Sequence, residues 1–234
     1  MILFIKLLLA HFIGDFFLQP GSWVEVKEKR KIKAYQLYIH ALLHGMLVML
    51  LVWDIQYWPW ALFLAVSHWC IDVVKLYSQN ENTKRLWFFL DQFAHVVIIL
   101  LLVHFSGVDV LVYWKSWGEA EWLTFTAIVF LTIPASIVIK TIISKWDPLP
   151  HDDGTSSLQE AGKYIGILER LFVFVFIVSG RWEAIGFLVA AKSVFRFGDL
   201  RQSKDRKLTE YILIGTLLSF GLAILTGMVF LAWR

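Results

Sequence analysis

Apolar residues run along this chain in blocks of roughly twenty, separated by short polar stretches. A helix needs about 20 apolar residues to cross a hydrocarbon core of about 30 Å. Blocks near 2–19, 36–53, 57–77, 86–105, 122–144, 164–180, 182–198 and 209–232 therefore predict about eight spans, or seven if the short 182–198 block does not cross. Pro20, "DIQYWP", "SQNENTKR" and "DPLPHDDGTSS" punctuate them. The expected fold is all-α, a polytopic transmembrane bundle. Residues 1–105 form one four-helix bundle, and residues 122–234 form a second that packs against it. The first block lacks a basic start and a cleavage site, so it reads as a retained span.

The blocks are not uniformly apolar. In "AHFIGDFFLQ", His11, Asp15 and Gln19 recur at spacings of four and share one helical face. The next three blocks repeat the device with His40 and His44, His68 and Asp72, and Asp91 and His95. Measured from the helix ends on one side of the membrane, Asp15, His40, Asp72 and Asp91 lie about one turn in. His11, His44, His68 and His95 lie about two turns in, so two polar layers about 6 Å apart are expected. Each ionisable group in the bilayer interior costs roughly 2.5–3.5 kcal/mol, and a cation is the simplest common partner for eight of them. Imidazole and carboxylate together suit a divalent transition metal, with Zn first and Mn or Fe as alternatives, as one or two ions. The other reading is a His–Asp hydrogen-bond network that holds the bundle together.

Composition sharpens the class. The chain is 58% hydrophobic and 18% charged, well off the balance of a soluble domain. A net charge of +3 gives no footprint for nucleic acid, and the single cysteine, Cys70, excludes an internal disulfide. Basic residues cluster in the connections, with Lys27, Lys29, Arg30, Lys31 and Lys33 in the first, Lys84 and Arg85 in another, and Arg201, Lys204, Arg206 and Lys207 in a third. By alternation these fall on one side, and the positive-inside rule makes that side cytoplasmic. The site would then open to the cytoplasmic face of the membrane, with lipid as the surrounding partner.

Other polar residues are candidates for contact with an anionic or lipid substrate. They are Gln19, Lys75 and Gln92 near the layers, and Glu169, Arg170, Lys192 and Arg196 in the second half. For Lys75, snorkelling to the interface is the plainer reading. For Arg170, Lys192 and Arg196, pairing with Glu169 and Glu210 competes with anion binding. "GKYIG" and "GTLLS" carry small residues at the spacing of close helix packing. His151, Asp152 and Asp153 read as a solvated loop, and His104 as interfacial.

The segments "LLAHFIGDFFLQ", "HALLHG", "SHWCIDVVK" and "FFLDQFAHVV", with "IGILERLFVFV", "AAKSVFRF" and "EYILIGTLLS", resemble an uncharacterised bacterial membrane family, domain of unknown function 3307. That resemblance brings no activity with it. The His/Asp layout is also similar to that of membrane-bound metal-dependent hydrolases, by analogy of layout. Three functions follow as expectations. The first is a metal-dependent hydrolase in which the histidines ligate and Asp15, Asp72 and Asp91 ligate or act as bases. The second is a divalent-cation transporter. The third is a structural or sensory protein built round a metal or a His/Asp network. Outward of the histidines the four blocks read "LLLA", "MLVMLLV", "LFLAV" and "VVIILLLV". That dry plug favours a one-sided site.

Overall fold

The computed structural model describes residues 1–106, 117–146, 156–197 and 206–234, with side chains left out at 156–160, 195–197 and 206–209. Among the described residues the structure is helical, without strands. The helices are α1 (Ile2–Phe12), α2 (Gly21–Arg30), α3 (Tyr35–Val52), α4 (Trp58–Ser78), α5 (Lys84–Ser106), α6 (Glu119–Leu131), α7 (Ile133–Ile143), α8 (Ser156–Val178), α9 (Trp182–Phe197) and α10 (Arg206–Trp233). They divide into two compact units, residues 1–129 and 130–234.

Among the described residues, four helical stretches are long and apolar enough to span a membrane: Tyr35–Val52, Ile55–Ser78, Lys84–Ser106 and Glu210–Trp233. Two bent pairs bring the number to six if each counts as one span. The eight expected from sequence are too many, for a physical reason. The 16 residues of α9 reach only about 24 Å at 1.5 Å per residue. In α8, Lys163, Glu169 and Arg170 interrupt the apolar run.

In the first unit α1, α3, α4 and α5 enclose an apolar core of Leu3, Leu7, Ala10, Val48, Val52, Tyr57, Ala61, Leu64, Ile99 and Leu102. These residues come from the start of α1 and α4 and the end of α3 and α5, so the core fills one end of the bundle. Lys6 is buried beside it, its ammonium 4.8 Å from the centre of the Trp122 ring, where a cation–π contact compensates part of its lost hydration. The basic connection after α1 holds a helix, α2. This helix turns 83° from the α1 direction at Pro20, which fixes its own φ and cannot continue a helical hydrogen-bond ladder. The other end of the bundle is therefore covered by a basic helix.

In the second unit the ladder breaks at Thr132, just before Pro134, and Arg170 of α8 fills the gap. Its guanidinium donates to Leu131 O at 2.7 Å, Thr132 O at 3.0 Å, Ser136 Oγ at 2.5 Å and Ser219 Oγ at 3.2 Å. Sequence reading offered Arg170 to an anion, but its donors are spent on the carbonyls that the proline-containing turn releases. Lys192 pairs with Glu169, so it too is engaged within the unit. The side chain of Arg196, and residues 151–153, lie outside the described residues. Of the small-residue motifs, Gly215 meets Ile143 and Ser219 meets Arg170, whereas nothing lies within 4 Å of a side chain added at Gly162.

Arg170→Met should lower the stability of the detergent-solubilised protein by on the order of 3 kcal/mol, because it orphans buried carbonyls and hydroxyls. Thermal unfolding beside Arg170→Lys, which restores one compact donor group in place of the guanidinium fork, checks this. Equal midpoints for Arg170→Met and wild type would remove the cap from the account.

Candidate metal centre

At the covered end of the first unit the four polar pairs converge. His11, His40, His44, His68, Asp72, Asp91 and His95 are all buried, and the side chain of Asp15 is 9% exposed. Their closeness starts from a local deviation in α1. After Phe12 the helix widens into a single π turn, Ile13–Phe17, closed by Leu18 N donating to Ile13 O. Widening changes the rotation per residue, so Asp15 aims across the bundle. Such turns concentrate at functional sites. The helix then ends, and Gln19, half-buried, lies beyond the stripe that its spacing from Asp15 implied. Gly14 supplies the clearance, for a Cβ there would collide with the imidazole of His44.

Asp15 Oδ1 is the focus. His44 Nε2 lies 3.0 Å from it, His40 Nε2 3.2 Å and His68 Nε2 3.3 Å. His68 Nε2 and His40 Nε2 are themselves 3.0 Å apart. Hydrogen bonding alone does not account for this packing. Four close edges join three ring nitrogens to one ionised carboxylate oxygen, and each ring nitrogen carries at most one hydrogen. At least one edge must face lone pair to lone pair, or hydrogen to hydrogen. A cation removes the conflict, because all four atoms then point lone pairs at it. Ligands of a tetrahedral ion at about 2.0–2.1 Å lie about 3.3 Å from one another, close to the spacings found.

The other oxygen of Asp15 is held in place. Gln92 donates from Nε2 to Asp15 Oδ2 at 2.9 Å and to Asp91 Oδ2 at 3.2 Å, while its carbonyl accepts from His11 Nε2 at 3.2 Å. His11 is thereby turned to Gln92, 3.9 Å from Asp15 Oδ2. The rings of His44, His68 and His95 stack in a column, with centroids 3.7 and 3.9 Å apart. Three overlapping sets of ligand atoms result: His11, Asp15, His44 and His68; His40, His68 and Asp72; and Asp15, Asp91 and His95. Within each, the atoms lie no more than 4.8 Å apart, so these buried clusters could hold a metal ion. The two layers expected from sequence thus interlock, with Asp15 reaching into the histidines and His40 joining them.

The carboxylates away from Asp15 carry the chain's own cations. Lys75 Nζ lies 2.8 Å from Asp91 Oδ2, so this lysine turns inward where snorkelling was expected. Lys27 of α2 lies 2.7 Å from Asp72 Oδ2, with both side chains less than 10% exposed. Removing one partner of a buried pair such as this typically costs about 3–5 kcal/mol. In the sequence Lys27 figured only as one basic residue of a connection. The one signal that could have singled it out is the potential of "SWVEVKEK" to form a helix next to the site.

Cys70 is exposed and takes no part in the cluster. The model of the family described as a protein of unknown function (DUF3307) matches residues 3–142, which include every residue of the centre. No curated protein and no solved structure matches the chain.

Gly14→Ala should displace His44 from Asp15 and lower metal affinity by about tenfold or more, the cost of one lost oriented contact. Gly186→Ala, where an added methyl meets open space, should leave it unchanged. Zinc titration of the two purified variants decides the matter, and equal affinities would mean that the His44–Asp15 contact does not hold the ion.

Proposed function

We propose a function for a chain that belongs to the DUF3307 family: a membrane protein that holds one divalent transition-metal ion among His40, His44, His68 and Asp15 and uses it for hydrolysis. The observation that carries the reading is the meeting of three imidazole nitrogens within 3.3 Å of one carboxylate oxygen with two of those nitrogens, of His40 and His68, also 3.0 Å from each other, four edges that hydrogen bonds do not satisfy together. Three imidazoles and a carboxylate suit Zn(II), with Mn or Fe as harder alternatives. His11 and Gln92 orient Asp15, in the manner of groups that support a ligating carboxylate.

When bound, the ion supplies Lewis acidity and a coordinated water with pKa near about 7. The chain's own proton-handling groups stand beside it. Asp91 Oδ1 and His95 Nε2 face each other at 3.5 Å, and neither has a hydrogen-bond partner among the described residues. We assign proton transfer to this pair, with Asp72 and Asp15 holding charge. We read the basic connections by the positive-inside rule and propose that the centre faces the cytoplasmic side of a bacterial inner membrane.

Carriage of a divalent cation across the membrane is the competing use, and a carrier needs polar access from both faces. Beyond the histidine rings lie Leu7, Val48, Leu64 and Ile99, an apolar layer that weighs against a path through this unit. A purely structural network has to accept the unsatisfied edge at Asp15.

Elemental analysis of the detergent-purified protein tests the reading. Wild type should carry one equivalent of metal, predominantly zinc, and His68→Ala and Asp15→Asn should each lose at least about nine-tenths of it. A folded wild type that stays metal-free after reloading would overturn the proposal and return the cluster to a structural role.

A further inference from the structure

Three buried carboxylates, Asp15, Asp72 and Asp91, share the centre with two buried or half-buried ammonium groups, Lys27 and Lys75. The cluster therefore carries one net negative charge with neutral imidazoles. One divalent ion converts this to one net positive charge. An uncompensated charge is expensive in a low-dielectric interior, so the loaded centre calls for an anion. Two features describe that anion. Lys27 and Lys75 bind their carboxylates through single contacts of 2.7 and 2.8 Å, both to Oδ2 atoms. Each ammonium retains further donors, since an ammonium has three. These remaining donors suit oxygen acceptors, and an anionic oxygen also offsets the positive charge of the loaded centre. A phosphoryl group offers several anionic oxygens in a tetrahedron, enough to meet the ion and both ammonium groups together. Access exists on one side, for the side chain of Lys75 is 25% exposed whereas that of Lys27 is 6% exposed.

We infer that the ligand of the loaded centre is a phosphoryl group, clamped between the metal ion and the ammonium groups of Lys27 on α2 and Lys75 on α4. This rests on the metal-binding reading above and names the substrate class of that site. It also moves anion recognition away from Arg170, whose donors are spent on Leu131, Thr132, Ser136 and Ser219.

The test uses the full chain in detergent, loaded with zinc, and measures inorganic phosphate binding by calorimetry with zinc content determined on the same sample. Zinc-loaded wild type should bind phosphate and the metal-stripped protein should not. Lys27→Met and Lys75→Met should each weaken phosphate binding by about tenfold or more with zinc content unchanged, and Lys75→Arg should retain it. If Lys27→Met fails to fold by size-exclusion chromatography, Lys75→Met and Lys75→Arg decide. Zinc-loaded protein indifferent to phosphate, or a phosphate affinity that neither lysine affects, overturns the inference and leaves the metal reading standing. Protein that binds no zinc overturns both. A second arm repeats phosphate binding in nanodiscs with and without phosphatidic acid. Competition by the lipid assigns the phosphoryl group to a headgroup, and its absence assigns it to a soluble phosphate compound.

Discussion

Everything in the first unit follows from the need to compensate charge where water does not reach. A carboxylate held inside a helical bundle requires a cation or several donors within about 3 Å, and Asp15, Asp72 and Asp91 each satisfy this in a different way. Asp72 takes a lysine from a helix that lies across the bundle end. Asp91 takes a lysine from its neighbour and a side-chain amide. Asp15 takes three imidazoles. The first two arrangements are complete as ion pairs, whereas the third is complete only with a further positive charge. That asymmetry separates a structural salt bridge from a centre able to bind a ligand.

How far the sequence foretold this depends on the range of the interaction. The pairs at four-residue spacing, the register of four consecutive helices and the apolar plug were all legible, because they depend on helical periodicity alone. The π turn was not, since five residues, Ile13–Phe17, depart from that periodicity through their contacts with α3 and α4 and not through any propensity of their own. It decides that Asp15 points at the histidines and that Gln19 does not follow it. Lys27 was hidden for a related reason. Its partner is 45 residues away, and among basic neighbours it differs only in facing inward.

The second unit shows the opposite failure. There the sequence left anion binding and internal pairing open for the charged residues at membrane depth, and the structure engages Arg170 and Lys192 internally. Arg170 serves as a plug for backbone carbonyls that a proline released, a demand that no side-chain pattern announces. The same kind of residue, buried and cationic, thus reads differently in the two units. Arg170 has its donors filled by neutral acceptors, whereas Lys27 and Lys75 each sit on one carboxylate beside the candidate centre.

The groups around Asp15 are distributed over four separate helices, from His11 near the start of the chain to His95 in α5. A chain that emerges from the ribosome in order holds Asp15 in place long before its last companions exist. The four groups proposed to hold an ion are complete only with α4, and Gln92, which holds Asp15, comes only with α5. On the metal-binding reading, ion capture would then mark a late step in the assembly of this bundle.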